Sequence, residues 1–193
     1  MKLAGRIAKG LVIFVIFFLN ALFILRCCFA ADKHTLSAIV PTDALRAAYA
    51  ASDGDVELLT HELVREISEN GYMSLYSFVW CPDAREVQIT VRYNESVYSY
   101  NELPEGAPLR FVLTDSVTGA QYAPAEFGSE EKLMYRYRRL VFSGVDVSEG
   151  SDLTLIMLSG DTEISRDVIH YADQNVVLEP YKLSRAERES LAE

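Results

Sequence analysis

A run of alternating tyrosine and arginine at residues 135–139 is the densest group of side chains that could bind a ligand. Successive side chains of a strand point to opposite faces, so a strand here would place Arg136 and Arg138 on one face and the tyrosines on the other. Guanidinium groups bind carboxylates and phosphates through paired hydrogen bonds. We therefore predict that Arg136, Arg138 and Arg139 contact an anionic ligand, a phosphate-bearing wall polymer or an acidic partner. The alternative is that these arginines form ion pairs with acidic residues of neighbouring strands.

Tyr98 and Tyr100 form a second candidate contact site, because they precede a stretch at residues 103–106 that contains proline and glycine and is typical of a loop. All 11 tyrosines follow residue 31. Tyrosine combines an apolar ring with a polar tip, which suits contact with sugars or with proteins. Together with Trp80, exposed rings of this kind could bind a carbohydrate. The alternative is that the tyrosines pack in the core or at the edges of a β-sheet.

Residues that could hold a metal ion or carry out catalysis do not form an arrangement typical of such sites. His61 and Glu62 begin a zinc-binding helix motif, but Arg65 replaces its second histidine. Residues 53–57 offer three carboxylates at the spacing of a calcium loop, but the next position is a leucine where that loop needs glycine. The sequence also lacks a nucleophile elbow and a glycine-rich phosphate loop. It therefore predicts no catalytic residues, no metal site and no cofactor.

Strand-like alternation of apolar and polar residues begins after Gly71. From Glu86 to Tyr93 the alternation is regular, which predicts a strand with one face in the core and the other in water. Residues 81–85 contain proline and aspartate, which predicts a hairpin connection to a preceding strand. Strands are also predicted at residues 73–80, 109–113, around Tyr122, and at 132–142, 153–158, 164–171 and 176–183.

The alternation changes phase within residues 132–142. Tyr135 and Tyr137 point to one face, and Phe142 reaches that face only if the strand accommodates one extra residue. A β-bulge is the usual way for a strand to do so. We therefore predict a β-bulge at Arg138 and Arg139.

About seven or eight strands, separated by turns and with no helices between them, predict a mainly β fold, an antiparallel β-sandwich. The residues from Val145 to Leu155 resemble the strand–turn–strand crossover of fibronectin type III and other immunoglobulin-like modules. Leu153 stands where those modules usually carry an aromatic residue. The resemblance implies an immunoglobulin-like sandwich, and it implies no function.

An amphipathic helical pattern at residues 42–70 precedes the strands. Its apolar residues recur at steps of three, four or seven and form one stripe. The pattern could be divided into two helices, with Ser52 or Asp53 as the second N-cap, and Asn70 followed by Gly71 is a typical C-terminal stop. We expect this stripe to pack on the sheet; the alternative is a stalk above the membrane.

The N-terminal segment has the pattern of a membrane-targeting sequence. Three basic residues precede an apolar run at residues 11–25. Extended to residues 11–31, the run would form a helix of about 31 Å, which matches a hydrocarbon core of about 30 Å. We predict an uncleaved signal-anchor with its N-terminus in the cytoplasm and residues 32–193 outside. The alternative is a secretory signal cleaved after Ala30, since Cys28 and Ala30 are small enough for the recognition positions.

Charge and cysteine content limit the classes of function. The chain has 193 residues, 50% of them apolar, and residues 1–31 hold four of its 18 basic residues and none of its 28 acidic ones. The remainder therefore carries a net charge of −14. This acidity argues against nucleic acid as a partner, which would require basic surface. Cys81 is the one cysteine outside the N-terminal segment, so we expect a buried thiol and no disulfide within the domain.

These patterns predict the division of the chain and its role. Ser184 and Glu187 predict a capping box that opens a short C-terminal helix. We expect a membrane-anchored extracytoplasmic protein that binds a partner or serves as an accessory module without catalysis. The alternatives are a secreted carbohydrate- or wall-polymer-binding module and a cell-envelope enzyme. The predicted parts are a signal-anchor at 1–31 that contacts the bilayer through 11–31, a linker and amphipathic helix at 32–71, a β-sandwich at 72–183 and a short helix at 184–193.

Overall fold

A computed structural model describes most of the chain. The described residues are 2–29, 36–61, 65–66, 73–94, 109–147, 151–170 and 178–193. They include three helices: α1 (Lys2–Phe29), α2 (Asp43–Ala51) and α3 (Arg185–Ala192). The strands are β1 (Leu59–Thr60), β2 (Arg65–Glu66), β3 (Met73–Cys81), β4 (Glu86–Tyr93), β5 (Leu109–Asp115), β6 (Gln121–Tyr122), β7 (Ala125–Glu131), β8 (Arg136–Ser143), β9 (Asp152–Ser159), β10 (Thr162–His170) and β11 (Glu179–Pro180).

The strands form two antiparallel sheets, so the prediction of a mainly β fold is confirmed. The first sheet has the order β11-β1-β3-β4-β8-β7, with β2 also paired to β3. The second sheet has the order β10-β9-β5-β6. Strand β4 has the bounds that its alternation predicts, and the predicted hairpin joins it to β3. The turn after Asp115 and the short strand around Tyr122 are confirmed as well.

One cluster of buried apolar side chains joins the two sheets and forms the main core. The first sheet contributes Phe78, Ile89 and Leu140, and the second contributes Leu113 and Leu155, all of them almost completely buried. These residues lie at alternate positions of their strands, so each sheet turns one apolar face toward the other. The burial of this shared face explains why the sheets stay together.

The opposite face of β4 is buried too, and the prediction that it faces water is wrong. Glu86, Gln88 and Thr90 are less than a tenth exposed. Residues 36–42, which we call the docking segment, cover them. Val40 donates its N–H to Gln88 Oε1 at 2.7 Å, and Gln88 Nε2 donates back to the Val40 carbonyl at 2.8 Å. Polar side chains on this face therefore form with the docking segment the kind of hydrogen bonds that a neighbouring strand would otherwise supply.

Two further hydrogen bonds extend the contact along the docking segment. Thr90 Oγ1 donates to the Leu36 carbonyl at 2.7 Å, and Thr42 Oγ1 donates to Glu86 Oε2 at 2.7 Å. A second apolar cluster forms beside them on the same face. It comprises Ile39, Leu45, Leu58, Val79, Cys81 and Leu191, so the docking segment, α2 and α3 all pack on the outer side of the first sheet.

The predicted helix at residues 42–70 is confirmed only in its first third. Thr42 caps α2 by accepting a hydrogen bond from the Leu45 N–H, and the helix ends at Ala51. Asp53 and Gly54 then adopt positive φ angles of 55° and 88°, a conformation that ends a helix. Of the described apolar residues that follow, Leu58 packs in the second cluster and Leu59 lies in β1 and packs on the main core. Their spacing therefore reflects two faces of an extended chain. The predicted stop at residues 70–71 lies outside the described residues.

The predicted β-bulge at Arg138 and Arg139 is wrong. The pairing of β4 with β8 continues without a shift along the whole of β8. The register shift lies on the other neighbour, β7, between Glu126 and Ser129, where Gly128 has a φ of 140°. A positive φ suits glycine, so β7 accommodates the irregularity at lower cost than β8 would.

Helix α1 differs from α2 and α3 because none of its side chains from residue 9 onward is buried. Within it, Lys9–Phe29 spans 21 residues, and no part of its most apolar window is buried inside the protein. Among the described residues, this is the one helix long and apolar enough to cross a membrane. At the other end of the chain, the capping box of Ser184 and Glu187 is confirmed.

Candidate functional site

Arg136 and Arg138 lie on the core-facing side of β8, near its beginning. Their cross-strand partners on β4 are Tyr93 and Val91. Arg138 donates to Glu126 at 2.9 Å, and its guanidinium carbon lies 5.7 Å from the centre of the Tyr93 ring. Arg136 donates to Glu131 at 2.6 Å. Both acids belong to β7, so the neighbouring strand compensates the charge of these arginines, as the alternative interpretation expects.

Arg139 lies on the opposite face of β8 and does not join the other two arginines. It donates to the carbonyl of Ala38 in the docking segment. Burial lowers the pKa of its guanidinium, and the nearby Tyr181 and Glu187 act in the opposite direction. Arg139 therefore helps to hold the docking segment, and the three arginines do not form one surface.

The predicted aromatic contact site is not brought together by the described residues. Tyr98 and Tyr100 lie outside them. Trp80 is only 8% exposed and belongs to the main core. Its ring therefore cannot stack on a carbohydrate at the surface, and the predicted aromatic site retains only the two tyrosines.

A groove of about 610 Å³ opens at the edge of the first sheet, where β11 pairs with β1 and β1 pairs with β3. Its size is within the range of small-molecule binding sites. The half-buried Tyr76 and Ser77 of β3 line one side, and the exposed Glu179 and Lys182 stand at the rim. The complete lining is Ser37, Thr60, His61, Tyr76, Ser77, Phe78, Val79, Glu179, Pro180, Tyr181 and Lys182. The groove thus combines an apolar wall with several hydroxyl groups and two opposite charges.

His61 is placed in the groove by the end of β1. Thr60 Oγ1 donates to the Phe78 carbonyl at 2.6 Å and keeps the chain close to β3. The imidazole then stacks on the Phe78 ring, with 4.8 Å between the ring centres and 16° between their planes. His61 is buried. Stacking fixes the plane of the ring along the groove wall.

Tyr181 forms the end of the groove, next to α3. Its N–H donates to the Leu58 carbonyl at 2.8 Å, and its hydroxyl donates to Glu187 Oε1 at 2.6 Å. Burial, and then the hydrogen bond to Glu187, raise the pKa of the Tyr181 hydroxyl. At neutral pH Tyr181 is therefore an uncharged hydrogen-bonding group.

Sequence patterns could not reveal this groove, because its residues come from four separate parts of the chain. Among the groove residues, His61 is the one that a sequence motif singles out. That motif is the start of a zinc-binding helix, and it is incomplete because Arg65 stands where the second histidine would be. Among the described residues, no group of three His, Cys, Asp or Glu side chains is placed to hold a metal ion.

Comparison with models of known protein families, with curated proteins and with solved structures finds no match to this chain.

Proposed function

We propose that this protein is a single-pass, membrane-anchored binding module, with its N-terminus in the cytoplasm and residues 32–193 outside. The observation that carries the proposal is the contrast between α1 and the rest of the chain. Lys9–Phe29 is predominantly apolar and its most apolar window is not covered by protein, whereas the sheets have their own core. A bilayer is the environment in which such a helix is stable. The basic residues before it favour a cytoplasmic N-terminus.

The groove beside β3 is the proposed ligand site, and the ligand is a small polar molecule with a planar group. The half-buried ring of Tyr76 on the groove wall suits a planar group, and the Ser77 hydroxyl together with the exposed Glu179 and Lys182 suits polar substituents. The Tyr181 hydroxyl already donates to Glu187, so its role is to hold the end of the groove in place. We therefore propose that the groove binds its ligand and does not transform it.

The immunoglobulin-like character of the sandwich is part of the same proposal. Two antiparallel sheets that share one core support it, as does the crossover pattern from Val145 to Leu155. Domains of this architecture commonly serve as binding modules on cell surfaces.

Membrane fractionation combined with mass spectrometry of the N-terminus tests the anchor. We expect the intact chain in the membrane fraction, resistant to alkaline carbonate, and we expect residues 32–193 to be degraded by a protease added outside intact cells. A chain that begins at Ala31 and is found in the medium would show a cleaved secretory signal. Protection of residues 32–193 from the external protease would show the opposite orientation. Either result would overturn the anchored topology.

Ligand-observed NMR tests the groove, with small aromatic acids, aromatic amides and monosaccharides as probes. Tyr76→Ala removes a groove wall, and we expect it to abolish saturation transfer to any probe that binds the wild-type chain. Tyr122→Ala is the matched control, because this half-buried tyrosine lies in the second sheet. Equal binding by both variants, or no probe bound by the wild-type chain, would contradict the proposed ligand site.

A further inference from the structure

The turn between β7 and β8 carries two large apolar side chains with little protein around them. Leu133 is 73% exposed and Met134 is 50% exposed. The turn is closed by the Lys132 N–H, which donates to the Tyr135 carbonyl at 2.8 Å. We call residues 132–135 the hairpin tip. Beyond α1, the described part of the chain exposes only two other large apolar side chains, Val117 and Phe127.

The hairpin tip contacts the C-terminal end of α1. The Leu133 N–H donates to the Cys28 carbonyl at 2.9 Å, and Lys132 Nζ donates to the Cys27 carbonyl at 3.3 Å. The last four carbonyls of a helix have no partner within the helix, so the tip satisfies two of them. A lysine at this end also suits the negative end of the helix dipole. The tip therefore caps the helix that precedes the domain by sequence.

The position of this cap along α1 fixes its depth relative to a membrane. The apolar span ends at Phe29, and Cys28 is the residue before it. With a rise of about 1.5 Å per residue, a backbone hydrogen bond to Cys28 places the tip at the boundary of the hydrocarbon core. A lipid surface is thus the neighbour that the anchor itself brings to Leu133 and Met134.

We propose that the hairpin tip is a membrane-contact site, in which Leu133 and Met134 enter the lipid surface beside α1. This inference rests on the proposed anchor. Apolar side chains gain free energy when they leave water, and an unpaired carbonyl at the membrane boundary is unfavourable, so both features of the tip favour this location. Lys132, which pairs with Glu130 at 2.7 Å, keeps its charge at the level of the headgroups. The tip and α1 together hold the domain against the membrane in one orientation.

Depth-dependent fluorescence quenching of the full chain tests the membrane-contact site. The protein is reconstituted in vesicles of equal amounts of phosphatidylcholine and phosphatidylglycerol, with Cys27 and Cys28 replaced by serine. An environment-sensitive dye is attached at Leu133→Cys and, in a second variant, at Met134→Cys. Val117→Cys is the matched control, because Val117 is 63% exposed but lies in the turn between β5 and β6.

We expect dye at positions 133 and 134 to emit at shorter wavelength than dye at position 117. Lipids that carry a quencher near the headgroup should quench dye at the tip, and aqueous iodide should not. At position 117 the pattern should be reversed. Equal iodide quenching at the tip and at position 117 would overturn the proposal. The proposal would also be overturned if the tip were shielded from iodide in vesicles that hold several chains but not in vesicles that hold one. A second copy of the chain would then be what covers the tip.

The same preparation separates this inference from the proposed anchor. If the chain is not retained in vesicles after alkaline carbonate treatment, the anchor itself fails. If the chain is retained and the tip is quenched by iodide, only the membrane-contact site fails.

Discussion

Glu187 is the residue that connects most of the parts packed on the outer face of the first sheet. Its carboxylate accepts hydrogen bonds from the Ile39 N–H at 3.0 Å, the Tyr181 hydroxyl at 2.6 Å and the Ser184 N–H at 2.7 Å. These donors belong to the docking segment, the chain after β11 and the N-cap of α3. Burial opposes ionisation, but the hydrogen bonds from Ser184, Tyr181 and Ile39 outweigh it and lower the pKa of Glu187.

Replacing Glu187 should therefore destabilise the whole protein. For Glu187→Ala we expect the free energy of unfolding to fall by about 3 kcal/mol, because several donors to one charged acceptor lose their partner. Glu189→Ala is the matched control, since this residue of α3 forms only an exposed ion pair with Arg185. The control should leave the free energy nearly unchanged. Chemical denaturation measures both values, and equal values would show that the Glu187 bonds contribute nothing.

The lowered pKa of Glu187 predicts that the stability of the protein depends on pH. Its pKa is lower in the folded than in the unfolded protein, where the usual value is 4.5. The contribution of Glu187 is therefore present above that value and is lost as the pH falls through the lowered folded pKa. Below pH 4.5, the melting temperature of the wild-type chain should fall more steeply than that of Glu187→Ala. Parallel curves from calorimetry would contradict this.

Cys81 should be chemically inert in the folded protein. It is 3% exposed, and burial, together with the nearby Asp83 and Glu86, raises the pKa of its thiol against the effect of backbone hydrogen bonds. The reactive thiolate is thus disfavoured. In a chain with Cys27 and Cys28 replaced by serine, we expect a maleimide to label Cys81 only after denaturant is added. Ser116→Cys, in an exposed turn, should label at once; equal rates would contradict the burial of Cys81.

At the scale of elements, the docking segment behaves as part of the first sheet although it is not a strand. Gln88 of β4 makes a paired contact with the Val40 backbone and also donates to Glu86 at 2.7 Å. Gln88→Ala would leave the buried N–H of Val40 without a partner and would leave its carbonyl with only the Thr42 N–H. We expect a loss of about 2 kcal/mol in the free energy of unfolding. Gln121→Ala, an exposed position of β6, is the control and should change little; a similar loss in both would refute the role of Gln88.

The elements also show where sequence patterns predict structure and where they cannot. Strand β4 was predictable in its bounds because its apolar residues alternate strictly. The environment of its polar face was not, because the pattern does not distinguish water from a docked backbone that offers the same hydrogen bonds. The helix after Thr42 was predictable from its apolar spacing, but its end depended on the positive φ angles of Asp53 and Gly54. Apolar spacing beyond that point fits either a helix or an extended chain.

At the scale of the whole molecule, we expect the domain to need the docking segment in order to fold. Leu36, Ile39 and Val40 are buried, and each such side chain contributes about 1.5–3 kcal/mol. Their sum is comparable with the whole stability of a domain, about 5–15 kcal/mol. We expect a fragment that starts at residue 36 to unfold cooperatively, and a fragment that starts at residue 43 to be largely unfolded. Circular dichroism during thermal denaturation tests this, and equal melting temperatures would contradict it.

The candidate sites were less predictable than the fold for a related reason. The arginines at 136, 138 and 139 were found because they adjoin in sequence, but β7 and the docking segment supply their partners from elsewhere in the chain. The groove beside β3 and the contact between the hairpin tip and α1 each join residues that are far apart in sequence. Such sites follow from strand order, which local patterns do not determine.

The docking segment also determines how mechanical load would pass through the molecule. In the proposed topology, a pull on the domain would reach α1 through residues 36–42. These residues are hydrogen-bonded to side chains of β4, an interior strand of the first sheet. Several hydrogen bonds along that strand would then be strained together and not one after another. The attachment would therefore resist shear, and an applied force would turn or tilt the domain before it peeled the segment away.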